Sequence, residues 1–288
     1  MLQATINGIV LGGAYALVSI GFIVLFNNTR FFNFAHGDFL TIGAYLGYTF
    51  TMLWHLPWYL GLLLVAVAMA VIGLGTELLT RPAVRRRALL VGAIATLGLG
   101  LVVRAVIQLV WGPQDKNMDV LVKRPAIHVF GAALDYQQLI ILVVTVVVVL
   151  GLWLLYRYTF VGLVLRATAD DPTAAQIMGV NTARVVKASF AGSAVLAGVA
   201  GALLAPSFFV SLLLGYVIVF KAMVGTMVGG FGSLVGAVVG SLVVGVLEVN
   251  AAYLIDPDYR NIAVYGLVIL LFIVRPAGLF GTRLVEKV

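Results

Sequence analysis

From Gln137 to Tyr156 the chain reads QQLIILVVTVVVVLGLWLLY, without one charged side chain. Its valine content would suit a buried strand, but its length decides otherwise. A helix rises about 1.5 Å per residue, so roughly 20 residues cross the ~30 Å hydrocarbon core of a bilayer. Runs of this kind recur from end to end and lack the apolar/polar alternation of a barrel strand. Backbone polar groups in lipid must be satisfied within their own segment, so the spans are expected to be helices and the fold all-α, a polytopic integral membrane protein. Only 10% of the 288 residues are charged and the mean hydropathy is +1.13. No soluble globular domain covers itself with so little polar surface.

Nine spans are expected, near Thr5 to Phe26, Phe34 to Trp54, Trp58 to Leu79, Ala88 to Trp111, Gln137 to Tyr156, Ala188 to Pro206, Ser211 to Val228, Leu234 to Tyr253 and Ile262 to Val274. The count falls to about eight if the polar break NNTRFFNFAHGD fails to separate two complete spans, or if MVGGFGSLVGAVVG is re-entrant. Residues 1–288 are expected to form a single transmembrane domain. Met1 to Gly8 carries no Lys or Arg and the apolar run to Phe26 is too long for a signal core, which predicts a retained first span.

Orientation follows from where Lys and Arg collect. With the loop at Arg81, Arg85, Arg86 and Arg87 in the cytoplasm, alternation puts Arg30, Arg157, Arg166, Arg184, Lys187, Arg275, Arg283 and Lys287 on that side, and only Lys116, Lys123, Arg124 and Arg260 opposite. The C-terminus is then cytoplasmic. The net charge of +7 becomes a topology signal, and a nucleic-acid partner is not expected. The outer loop 112–137 balances Asp115, Asp119 and Asp135 against Lys116, Lys123 and Arg124 and is expected to be a solvated connector. Without cysteine there are no disulfides, thiolate metal sites or cysteine nucleophiles.

One polar tract interrupts the apolar runs: RATADDPTAAQIMGVNTARVVK, Arg166 to Lys187, within an expected cytoplasmic loop 157–187. It carries the signals of a short helix: Asp171 as N-cap beside Asp170, Pro172 at the first helical position, helix formers Ala174, Ala175 and Gln176, and Gly179 as the stop. About two turns are not stable alone in water, so something must hold them. Asn181 is placed to cap the next helix. The short helix is expected to expose Ile177 and Met178, a pair suited to a groove on another protein; packing on its own chain is the alternative.

NFAHGD (Asn33 to Asp38), ELLTRP (Glu77 to Pro82), ATLG (Ala95 to Gly98), RATADDPTAAQIMGVN (Arg166 to Asn181), GGFGSLVGAVVG (Gly229 to Gly240) and RPAGLFG (Arg275 to Gly281) together resemble the shorter permease subunit of branched-chain amino-acid ABC importers, over nearly the whole chain. The resemblance implies that Asp170, Asp171, Pro172, Ala174, Ala175, Ile177, Met178, Gly179 and Asn181 form the coupling helix that docks on an ATPase. It also implies two ABC ATPase subunits, a second homologous permease subunit, an extracytoplasmic solute-binding protein and the bacterial inner membrane as surroundings. Permeases for urea or short amides share much of the motif set and are an alternative substrate class. Phe31 and Phe32 depart from the smaller aliphatic pair expected in that family.

No enzyme and no cofactor is expected in this chain. GGFGSLVG has Val235 where a dinucleotide fingerprint needs its third glycine, and no Gly-Lys-Ser/Thr occurs, so ATP is expected on separate ATPase subunits. His36 is far in sequence from His55 and His128, so no metal cluster is expected. Arg104, Lys221 and Glu248 stand inside apolar runs, where an unpaired ionisable group costs roughly 2.5 kcal/mol or more. Two readings of Lys221 stay open: pairing with Glu248, or facing a water-filled path. Arg104 is expected to snorkel outward near Trp111. Asn33, His36, Gly37, Lys221, Gly225 and Glu248 are the expected path residues, with tight packing as the other reading of His36, Gly37 and Gly225. An ATP-independent secondary transporter using Arg104, Lys221 and Glu248 is the competing function.

Overall fold

The computed structural model describes residues 1–85, 89–122, 124–129, 132–275 and 278–280. Arg86, Arg87, Ala88, Lys123, Gly281, Arg283 and Lys287, invoked above, lie outside the described residues. In chain order the helices are α1 (Leu2–Thr29), α2 (His36–Tyr48), α3 (Trp58–Arg85), α4 (Leu89–Trp111), α5 (Tyr136–Tyr158), α6 (Phe160–Asp170), α7 (Pro172–Ile177), α8 (Thr182–Leu204), α9 (Leu214–Gly229), α10 (Leu234–Leu254) and α11 (Arg260–Val274). Strands β1 (Ile127–Val129) and β2 (Ala132–Leu134) precede α5 as an antiparallel pair.

Among the described residues seven helical segments are long and apolar enough to cross a bilayer: α1, α3, α4, α5, α8, α10, and α11 with the turn before it. Two of the nine expected spans are shorter. α9 has 16 residues, about 24 Å of helix. α2 has 13 and continues into a π turn, Thr49–Leu53. The polar break responsible starts at the end of α1: Arg30, in left-handed backbone, closes the helix through N–H to Phe26 O at 2.7 Å, and the chain then folds back into the bundle. His36, which opens α2, sits beside Val18 O at 3.1 Å, level with the middle of α1. Irregular backbone is tolerated at such depth only where protein covers it. Asn33 Oδ1 accepts Ala35 N–H at 3.1 Å and Thr96 Oγ1 on α4 accepts Phe34 N–H at 3.2 Å.

α1 forms the centre, with buried residues on all sides from Gly12 to Leu25. It runs antiparallel to α10, Gly8 lying against Val246 and Gly12 against Leu242. Lipid offers no hydrophobic drive for helix association, so the close approach allowed by glycine supplies dispersion contact instead. α2 is sandwiched between α8 and α9, and α4 and α11 lie at the edges with little of their apolar surface covered.

The end of α1 meets the starts of α10 and the end of α6, where Asn27 Nδ2 donates to Gly232 O at 2.9 Å and Arg30 Nη2 to Ala169 O at 3.0 Å. This is the basic end. At the other end the connecting loop is largely exposed and is also tied to the bundle. Gln3 exchanges two hydrogen bonds with Ala133 at 2.8 and 2.7 Å, Gln137 Nε2 donates to Leu203 O at 2.7 Å, and Lys116 pairs with Val210 in both directions. Backbone groups that leave water need partners: Gln3 serves Ala133, and Gln137 Oε1 accepts Leu121 N–H of the loop at 3.2 Å.

Candidate functional site

Two sets of residues carry the functional expectations. The first is α7, at the basic end. Asp171 Oδ1 accepts from Thr173 N–H at 2.8 Å and Ala174 N–H at 3.0 Å, satisfying two of the donors that a helix start leaves open, and Pro172 occupies the position that needs none. Gly179, at φ +86, makes the stop. Asn181 Oδ1 accepts Arg184 N–H at 3.1 Å and starts α8, six residues before the expected span. All three local signals are realised as read.

Placement on the surface divides the expected set. Ile177 and Met178 are 81% and 83% exposed. Ala175 is 4% exposed and faces its own chain between α6 and α8, so it is a foot of the helix rather than part of an outward surface. Val180 N–H to Ala175 O at 3.0 Å closes the end of the helix. Ala175 thus packs on its own chain, while Ile177 and Met178 are exposed, as expected.

The second set lies inside the bundle. Asn33, His36, Lys221 and Glu248 are each no more than 4% exposed, and Gly37 and Gly225 are buried. Lys221 Nζ pairs with the Glu248 carboxylate, whose other oxygen accepts the Tyr15 hydroxyl at 2.9 Å. The water-facing Lys221 gives way to a buried pair between α9 and α10, capped from α1. Gly225 lies against Ser241, where a Cβ would come within 2.6 Å of the hydroxyl, and Gly37 against Gly215. Both are packing positions. His36 is held by Val18 O and, at 3.3 Å, by Ser193 Oγ.

Arg104 departs from expectation. It turns inward: Nε lies 3.0 Å from Asp38 Oδ1, Nη2 donates to the Tyr216 hydroxyl at 2.5 Å, and the guanidinium covers the Tyr216 ring at 4.7 Å. Asp38 is 1% exposed, and a buried carboxylate draws a counter-charge more strongly than the interface draws a long side chain. Asp38, Tyr15 and Tyr216 are partners that sequence reasoning misses. The available signal was an acid in the first turn of an apolar helix. The unusual Phe31 and Phe32 fill space: Phe31 is 2% exposed and packs on Gly92, while Phe32 joins Phe22, Phe26, Phe34 and Phe231 in an aromatic cluster. Among the described residues no group of three or more His, Cys, Asp or Glu is placed to hold a metal.

These features have counterparts in known proteins. The profile of the family described as branched-chain amino acid transport system, permease component, matches residues 4–273. The chain is 30% identical over 303 residues to the high-affinity branched-chain amino acid transport system permease protein LivH of Salmonella typhimurium, covering 100% of this chain and 97% of that one. It is 30% identical over 300 residues to LivH of Escherichia coli, with 100% and 97% covered. BraD of Pseudomonas aeruginosa, of the same description, is 30% identical over 302 residues, with 100% and 98% covered. A similar fold occurs in PsaBC from Streptococcus pneumoniae, solved in complex with Fab, at TM-score 0.52 and 15% identity, covering 96% of this chain and 92% of that one.

Proposed function

The chain belongs to the family of branched-chain amino acid transport system permease components, and from that premise we propose that it is the transmembrane subunit of a bacterial inner-membrane ABC importer for leucine, isoleucine and valine. Its own chemistry is not enzymatic: ATP is hydrolysed by two partner ATPases, a second homologous permease completes the translocation path, and an extracytoplasmic binding protein delivers the amino acid. α7 lies in the cytoplasm and transmits ATPase closure to the membrane helices, which alternate access in response.

The observation that carries this reading is the two-faced build of α7. A six-residue helix has no stability of its own, yet here it is capped at its start, stopped by Gly179 and seated through Ala175, while Ile177 and Met178 stand in solvent. Large apolar side chains held out on a fixed, polar-flanked base fit insertion into a partner's groove. The competing ion-coupled reading loses support because Lys221 neutralises Glu248 and Arg104 neutralises Asp38 within the bundle.

Ile177→Asp with Met178→Asp tests the role. Full burial of two such side chains is worth about 3 kcal/mol or more, a hundredfold in affinity. Reconstituted with its ATPases and binding protein, the double variant is expected to insert normally, to lose ATP-driven leucine uptake and to release the ATPases on purification. Uptake at the wild-type rate with undiminished ATPase retention would remove α7 from the coupling role.

A further inference from the structure

A groove of about 520 Å³ opens at the basic end between α1, α5, α6 and α10, apart from α7 and from the buried ion pairs. Its upper wall is apolar, with Val149 and Leu152 from α5 facing Val238 and Val239 from α10. Its mouth is polar and net basic: Arg157 and Arg166 stand there with one acid, Asp170. Arg157 rests on the Trp153 and Tyr158 rings at 5.3 and 5.5 Å, and Arg166 donates to Tyr156 O, so both guanidiniums are anchored while their side chains stay exposed.

Two more groups face this mouth. The start of α10 lies on it, Ser233 Oγ accepting Gly236 N–H, so the positive end of a 21-residue helix adds to the arginines. Asn28, 8% exposed, lines the groove beside Tyr156, with its Oδ1 sealed beneath the surface and its Nδ2 spent on Val24 O at 2.9 Å. The floor is α6, which exposes Phe160, Val161 and Leu163 near its start and Arg166 and Asp170 toward its end, as a helix lying along a membrane surface does.

We propose that this groove binds one anionic phospholipid of the phosphatidylglycerol type, its phosphate at Arg157, Arg166 and the α10 start, and an acyl chain along Val149, Leu152, Val238 and Val239. The chemistry selects the ligand: an apolar slot continuous with lipid excludes a free polar phosphate, and a basic mouth disfavours a zwitterionic headgroup. Because α6 leads directly into α7, the lipid wedges against the element that positions α7.

The test is native mass spectrometry of the full-length chain released from mixed micelles of phosphatidylglycerol and phosphatidylcholine. Wild type is expected to retain phosphatidylglycerol over phosphatidylcholine by about 30-fold, the order of magnitude for two arginines at an anionic surface. Arg157→Gln with Arg166→Gln, both exposed side chains, removes the preference, and Val238→Trp, which fills the slot without touching charge, removes retention altogether. Equal retention of the two lipids, a preference that survives the arginine changes, or retention by the filled variant overturns the proposal. So does displacement of the lipid by millimolar glycerol 1-phosphate, which would assign the mouth to a free phosphate.

Discussion

Removing one member of the Lys221–Glu248 pair should damage the protein more than removing both charges. The two side chains are each 5% exposed, and the Tyr15 hydroxyl donates to Glu248 Oε2 at 2.9 Å. Lys221→Met leaves a buried carboxylate with one neutral donor; Glu248→Gln leaves a buried ammonium with no counter-charge. Each is expected to cost about 3–5 kcal/mol, the range for breaking a buried pair, which is a factor of between about 10² and several thousand in the folded population. In Lys221→Met/Glu248→Gln no charge remains, and the glutamine oxygen still accepts from Tyr15. That double variant should lie within about 1–2 kcal/mol of wild type, because a neutral pair of similar volume avoids the desolvation cost. The cycle therefore predicts a coupling of at least about 4 kcal/mol, above the usual range for touching groups because both charges are buried. The assay is equilibrium unfolding in mixed micelles followed by helicity, with all four proteins in the same detergent. Additive single effects, with the double variant the least stable of the four, would refute the argument that the pair is held by mutual neutralisation.

Helix packing gives another prediction. A Cβ at Gly43 would come within 2.6 Å of the Gly198 carbonyl carbon, whereas one at Gly13 meets Thr145 Cγ2 at an ordinary 3.4 Å. Gly43→Ala should therefore lose about 1–3 kcal/mol by the same unfolding assay while Gly13→Ala stays near wild type; equal stability of the two would contradict the α2–α8 contact. At α7, Asp171→Ala removes the acceptor for two N–H groups and should cost about 1 kcal/mol of local stability. Amide exchange at Thr173 and Ala174 is expected to rise about fivefold, with Asp171→Asn largely protected; unchanged exchange in Asp171→Ala would mean that the cap does not hold the helix.

What was legible beforehand is uneven for physical reasons. Local signals act over a few residues and survive any tertiary context, so Asp171, Pro172, Gly179 and Asn181 could be assigned from spacing alone. Span length is also local, and the seven long helices follow from it. The α2 break is different. The polarity of Asn27 to Asp38 marks an interruption, but whether the chain stays at the surface or climbs back into the bundle depends on Thr96, Val18 and Ser193, which lie far away in sequence. The same holds for Arg104: snorkelling and inward pairing are both open to an arginine near a helix end, and the choice was made by Asp38, 66 positions earlier and 1% exposed.

Sequence by itself determined the solvent, the helical class and the capped helix between α6 and α8, because hydrophobic length and backbone hydrogen bonding leave a chain in lipid few other solutions. Only the tertiary structure decided which side of that helix is a foot and which is offered outward, that Lys221, Glu248, Arg104 and Asp38 neutralise one another, and that an amphipathic groove forms where four elements converge. Burial and electrostatic pairing are properties of several segments at once, and no single stretch of residues contains them.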